Sequence, residues 1–200
     1  LGAFNIESNL EIKIVKRFGE IKKMNVLILH GSCRVNGVTG QLADEFARGA
    51  KDAGHHVTKV ELREKNIKDC AGCGACQING GNCVQKDDMA TIYQEILEAD
   101  VIVLASPVYY YTWTSLMKRT LDRTFALQSL LHNKKFFLLS AGAATGEQYM
   151  QIMLDSYRQY IFCFEGNEDA GYVMACGMNA PTDVKGTEYI QQAYKMGKSI

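Results

Sequence analysis

The sequence predicts a doubly wound α/β fold. Its five-stranded parallel sheet would run in the order 2-1-3-4-5 and form the middle of a three-layer sandwich. Three observations carry that expectation. From Met24 onward, short apolar runs alternate with segments of helical period. Several of those runs are apolar along their whole length, as strands covered on both faces must be. One run, His56 to Leu62, is more polar, which suits the edge position that strand two holds in this order.

The first strand is Val26-Leu27-Ile28-Leu29, closed by His30-Gly31. A polar loop, Ser32 to Gly37, leads into a helix whose stripe is Val38, Leu42, Phe46, Ala50 and Ala53. Gly54 stands where a helix C-terminus needs a left-handed residue. The mixed strand follows, then a cysteine-bearing loop from Ile67 to Val84. Asp87 to Leu97 reads as a helix with an acidic N-terminus. Val101 to Ala105 is the next strand, stopped by Ser106-Pro107. Trp113, Met117, Leu121 and Phe125 recur every four residues and predict a helix. Phe136 to Leu139 is a strand, followed by Ser140-Ala141-Gly142. Gln148 to Phe164 reads as a helix, Tyr172 to Ala175 as a weaker strand, and Val184 to Lys198 as the last helix. Residues 1–23 read as an extension or arm, with Glu11 to Val15 as an edge or dimer-crossing strand, and residues 24–200 as one domain.

Composition narrows the function. The chain has 200 residues, 47% of them hydrophobic, and Lys+Arg and Asp+Glu both total 22. A neutral chain lacks the field that holds nucleic acid. No apolar run approaches the ~20 residues of a membrane helix. The opening residues lack a signal-peptide pattern, so the expected location is the cytoplasm. Seven cysteines, an odd number, argue against a complete disulfide framework. Cys70, Cys73, Cys76 and Cys83 fall within fourteen residues and read as metal-binding or redox-active. Cys163 and Cys176, in apolar surroundings, read as buried inert thiols.

In doubly wound sheets, ligands sit beyond the carboxyl ends of the strands where the order reverses, here between strands one and three. The loop after strand one suits a phosphate. Ser32 and Thr39 bring hydroxyls, Arg34 a charged fork, Asn36 an amide, and a helix N-terminus follows directly. An ordinary polar turn is the plain alternative. The loop after strand three, Ser106-Pro107-Val108-Tyr109-Tyr110-Tyr111-Thr112-Trp113, offers an apolar wall for a flat ring. Its plain alternative is packing, with Trp113 in the core, although three adjacent tyrosines cannot all point inwards. Together the loops describe a mononucleotide with a large flat ring, FMN better than ATP. No magnesium-binding acid or phosphate-reaching lysine accompanies them, and no G-x-G-x-x-G or Walker A sequence is present.

Gly31-Ser32-x-Arg34-x-Asn36-Gly37-x-Thr39, Ser106-Pro107-Val108-Tyr109 and Met117-Lys118-x3-Asp122-Arg123 together resemble the NADPH-dependent FMN reductase group of flavodoxin-like proteins. Cys70-x2-Cys73-x2-Cys76-x6-Cys83, followed by Asp87-Asp88-Met89, resembles its iron–sulfur flavoprotein branch. The resemblance runs from Met24 to the end. It implies bound FMN, NAD(P)H as co-substrate, and a homodimer or homotetramer. It implies that Ser32, Arg34, Asn36 and Thr39, with Gly37 and Val38 in the same turn, hold the phosphate. Pro107, Val108, Tyr109 and Tyr110 would line the isoalloxazine, bordered by Ala141, Gly142 and Ala143. Cys33 and Val38 depart from the family pattern, which often has Pro and Asn there. The cysteine run matches that of [4Fe–4S] centres, and Gly72, Gly74, Gly80 and Gly81 would let the loop curl. Zinc and a metal-free loop remain alternatives. The implied activity is electron transfer from NAD(P)H through FMN to a quinone, flavin or protein acceptor. An electron carrier with FMN plus a cluster, and no nicotinamide turnover, is the second reading. A redox or metal sensor is the third. His30 reads as a structural neighbour of the phosphate loop, His55 and His56 as solvated, and Asp122 and Arg123 as ion-pair formers.

Overall fold

The computed structural model describes residues 22–200. The expected strand at Glu11 to Val15 lies outside them. Five parallel strands form one sheet in the order β2-β1-β3-β4-β5. They are β1 (Asn25–His30), β2 (His56–Glu61), β3 (Val101–Pro107), β4 (Lys135–Ala141) and β5 (Glu168–Ala175). The helices are α1 (Val38–Asp52), α2 (Ala75–Ile78), α3 (Met89–Glu98), α4 (Ser115–Arg123), α5 (Gln151–Phe162) and α6 (Glu188–Lys198).

Alternation along each strand builds two cores. Val26, Ile28, Val103 and Leu139 face α1 and α6, where Leu42, Phe46 and Ala193 meet them. Leu27, Leu29, Leu104 and Leu138 face α3, α4 and α5, where Ile92, Met117 and Tyr157 meet them. The central strands are thus covered on both faces, which is why they are apolar throughout. Helices α1 and α6 cross without room for side chains. A β-carbon on Gly49 would overlap the Tyr194 carbonyl oxygen, and one on Gly197 would overlap that of Phe46.

Several expectations need correction. Trp113 is buried but precedes α4, because Thr114 caps that helix. Phe125 falls beyond it in the 3-10 turn Thr124–Leu127 and is half-exposed, so the four-residue stripe ends at Leu121. The last helix begins at Glu188, after a turn in which Gly186 takes φ +76°. His55 is buried: Nδ1 accepts from the Met24 amide at 3.3 Å, and Nε2 lies 3.2 Å from the Ile200 carbonyl oxygen. Cys163 is exposed just past the end of α5, and Cys176 is half-buried.

Candidate functional site

The loops after β1, β3 and β4 open on one edge of the sheet. Gly31 starts the first. Its N–H donates to the Ala105 carbonyl at 2.8 Å, and its own carbonyl accepts from Thr114 Oγ1 at 2.6 Å. A β-carbon there would stand 2.8 Å from Cβ of Met117, so only glycine fits against α4. Ser32 Oγ accepts from the Arg34 amide at 3.1 Å and shapes the turn. Gly37 then caps α1 in extended conformation, and no side chain bonds the first-turn N–H groups. Those donors are free for an anion.

A cavity of about 180 Å³ lies among these loops. It brings together Ser32, Arg34, Gly37, Val38 and Thr39 from the first loop, Pro107, Val108 and Tyr109 from the second, and Ala141, Gly142 and Ala143 from the third. Asn36 is exposed outside that lining. Tyr110 belongs to an adjoining cavity of about 300 Å³, with Tyr111, Tyr149 and Met150. The two cavities share Val108, Gly142 and Ala143.

All three tyrosines are exposed, Tyr110 at 97%. Mutual backbone bonds between Tyr109 and Thr112 close a tight turn. Tyr110 and Tyr111 take φ +48° and +70°, a left-handed conformation costing of order 1–3 kcal/mol each for side-chain-bearing residues. The turn therefore holds two rings out at the strand end, beside the pocket.

Met178 and Asn179 complete the wall and escaped the sequence reading. They follow β5, and backbone bonds from Gly177 to Ala144 and from Met178 to Gly142 bring them in. Arg34 Nη1 reaches the Asn179 carbonyl at 3.4 Å. The available signal was that β5, too, ends on this edge.

His30 lies fully buried at the end of β1, with Nδ1 2.7 Å from Glu61 Oε2. Burial holds its imidazole below the ordinary range, against the pull of Glu61.

The cysteine loop is organised differently from the metal expectation. Among the described residues, no three His, Cys, Asp or Glu side chains gather into a set that could hold a metal ion. Cys70 and Cys73 are exposed, and Cys76 and Cys83 are half-buried. As arranged, these sulfurs do not fit a cluster. Other contacts pin the loop. Arg123, 2% exposed, holds both oxygens of Asp87 at 2.6 and 3.1 Å, the Lys68 carbonyl at 2.8 Å, and Cys83 Sγ at 3.5 Å. Asp122 pairs instead with Lys118. Gln77 anchors the tip on the Phe125 carbonyl at 2.8 Å. Cys70 and Cys163 line a separate cavity of about 750 Å³ walled by Leu121, Phe125, Tyr160 and Phe164.

Residues 24–163 match the family described as NADPH-dependent FMN reductase. The chain belongs to this family. An iron–sulfur flavoprotein of Archaeoglobus fulgidus is 31% identical over 184 residues, which cover 88% of this chain and 79% of that protein. An iron–sulfur flavoprotein of Methanocaldococcus jannaschii is 28% identical over 185 residues, 88% of this chain and 95% of that protein. Among solved structures, an NAD(P)H:quinone oxidoreductase from Methanothermobacter marburgensis superposes with a TM-score of 0.68 at 17% identity, covering 88% of this chain and 96% of that one. That likeness shows the fold of this family member, a flavodoxin-like sheet at the order reversal of which the pocket opens.

Proposed function

We propose that this FMN reductase family member binds FMN in the strand-edge pocket, takes reducing equivalents from NAD(P)H, and passes them to a quinone, flavin or protein acceptor. The observation that carries the reading is the meeting of three loops at the order reversal, with a free helix N-terminus at one end and an aromatic turn at the other. The residues present fit the cofactor. Ser32 and Thr39 hydroxyls, the amides of Gly37 and Val38, and the Arg34 guanidinium suit a phosphate, with Asn36 beside them at the rim. Pro107, Val108, Tyr109, Ala141 and Ala143 wall the ring end. Gly142 keeps a slot open there: its β-carbon would stand 3.4 Å from Val108 Cβ and 3.3 Å from Met150 Sδ.

Bound flavin accepts electrons as a hydride pair and releases them singly or in pairs. The protein's part is to hold the ring, exclude water from one face, and leave the other open. In this reading Tyr110, which lines the adjoining cavity with Tyr111 and Tyr149, would meet the second reactant. No side chain need move a proton in direct hydride transfer. A homodimer or homotetramer working in the cytoplasm is part of the same reading. Among the described residues, no helix is long and apolar enough to cross a membrane.

A second reading, an iron–sulfur electron carrier, is favoured by the run Cys70, Cys73, Cys76 and Cys83 and by the names of the relatives. The cysteines as arranged do not form the site, so no step is assigned to it.

The test is titration of cofactor-stripped protein with FMN and with riboflavin, followed by steady-state oxidation of NADH and NADPH. FMN should bind saturably. Arg34→Ala should weaken FMN about 10- to 100-fold, the worth of a charge-assisted hydrogen bond, and leave riboflavin unchanged. Background oxidation of both nucleotides by FMN-loaded protein refutes the enzyme reading. Anaerobic purification with iron and sulfide analysis decides the second reading.

A further inference from the structure

None of the chemistry above uses His30, although it ends β1 just before the first pocket loop and lies against Gly40 of α1. A carboxylate can only accept, so the neutral ring carries its proton on Nδ1, toward Glu61. Nε2 is equally buried and has no hydrogen-bond partner among the described residues. It sits under the first turn of α1. A β-carbon on Gly40 would come within 3.5 Å of that nitrogen and 3.9 Å of the Val35 carbonyl oxygen in the phosphate-side loop. A protonated Nε2 would be one more buried donor beside the start of α1, with the Val35 carbonyl oxygen on the far side of Gly40. An unprotonated one faces no donor.

Charge points the same way. The pocket lining carries one cationic side chain, Arg34. A phosphate monoester brings about −1.5 to −2 at neutral pH. Around His30 the charges are Glu61, with Lys59 and Arg63 against it, Asp44 of α1 on the far side of Lys59, and Glu64 on the far side of Arg63. They hold no excess positive charge, so among these side chains only Arg34 answers the charge of a bound ester. Burial disfavours the charged ring, against the pull of Glu61, and a nearby anion would favour it.

We propose that His30 is a positioning residue for the phosphate loop, and that the ester of FMN loads together with one proton taken from solvent onto Nε2 of His30. This rests on the FMN reading of the pocket. The step forms one N–H bond and moves no electrons. The resulting imidazolium, held by Glu61 at Nδ1 and lying under the first turn of α1, supplies the second positive charge beside the loop.

The experiment is calorimetric titration of the cofactor-stripped full chain with FMN, slightly above neutral pH, in two non-phosphate buffers of different ionisation enthalpy. Under those conditions the ester is almost wholly dianionic, so proton exchange reports the protein. Uptake approaching one proton is expected with FMN and none with riboflavin. FMN affinity should rise by up to about tenfold per unit of falling pH. His30→Gln should bind FMN without uptake, and Glu61→Gln should reduce uptake while keeping the ring. Should His30→Gln fail to fold, the ring nitrogen resonances of His30 in the unaltered protein serve instead, moving from neutral to imidazolium on adding FMN. FMN binding with no proton exchange, or with unchanged ring resonances, overturns this inference and leaves the cofactor reading standing. Absence of saturable FMN binding overturns both.

Discussion

Thr114 ties the two ligand-side loops together, and removing its hydroxyl tests whether that tie matters. The side chain is buried. Its Oγ1 donates to the Gly31 carbonyl at 2.6 Å and accepts from the Met117 amide at 3.2 Å. Thr114→Val keeps the shape and deletes both bonds. Losing the cap of α4 costs about 1 kcal/mol. Leaving the Gly31 carbonyl unpaired in the interior costs about 1–3 kcal/mol more. The expected destabilisation is therefore about 2–4 kcal/mol. In a chain of 200 residues each kcal/mol moves the melting midpoint by about 2–4 °C, so Tm should fall by roughly 10 °C. Thermal and urea unfolding of FMN-free protein measure this. Thr114→Ser keeps the hydroxyl and should recover most of the loss. FMN affinity should fall in Thr114→Val as well, because Ser32 follows directly on the freed Gly31. A Thr114→Val protein within about 0.5 kcal/mol of the parent refutes the reasoning. So does a Thr114→Ser protein no more stable than Thr114→Val.

Gly49→Ala and Gly197→Ala should each destabilise the crossing of α1 and α6. Overpacking against backbone costs about 1–3 kcal/mol and outweighs the ~1 kcal/mol that alanine adds to a helix. The double variant should lose less than the two separate losses together, because one substitution already parts the helices, and urea midpoints read all three. Arg123→Met strands the Asp87 carboxylate beneath the cysteine loop, and should cost about 3–5 kcal/mol in chemical denaturation. Burial alone would raise the Asp87 carboxyl, but Arg123 and the amides of Lys68 and Met89 bring it below its ordinary value. Its stabilisation is thus complete above the unfolded aspartate value of about 3.9 and drains away as pH falls through the lower folded value. Asp87→Asn should flatten the acid-unfolding curve in that window. Cys163, exposed, should be alkylated faster than Cys176, whose thiol burial pushes up, and peptide mass spectrometry of a time course that shows equal rates would contradict this.

Strands β1, β3 and β4 were legible because burial on both faces leaves a continuous apolar run. Strand β5 was only half legible. Its first residues, from Glu168 to Tyr172, are exposed or half-buried, and only Val173 to Ala175 are buried. His55 was misread because nothing local buries it; its ring partners are the Met24 amide and the Ile200 carbonyl, 31 and 145 residues away. Phe125 continued a periodic stripe, but period alone does not say where a helix stops. The part of the pocket lined by Ser32, Arg34, Gly37, Val38 and Thr39 was legible as a polar loop at a strand end because those residues are contiguous. Met178 and Asn179 were not, since backbone bonds recruit them from another strand. The cysteine spacing names four donors and says nothing of whether they converge. Here Arg123 and Asp87, distant in sequence, decide how the base of that loop lies.

The pocket owes its shape to strand register more than to loop side chains. Gly31 N–H donates to the Ala105 carbonyl at 2.8 Å, Val108 N–H to Ala141 at 2.8 Å, and Gly142 N–H to Ala175 at 2.9 Å. Each loop therefore begins by continuing the parallel pairing onto the last residues of the next strand. That arrangement satisfies buried backbone groups which a free loop would leave unpaired. It also fixes the spacing of the loop after β1, the tyrosine turn and Gly142. The strain at Tyr110 and Tyr111 is held against that fixed base, because the bonds between Tyr109 and Thr112 close on a strand end that cannot shift.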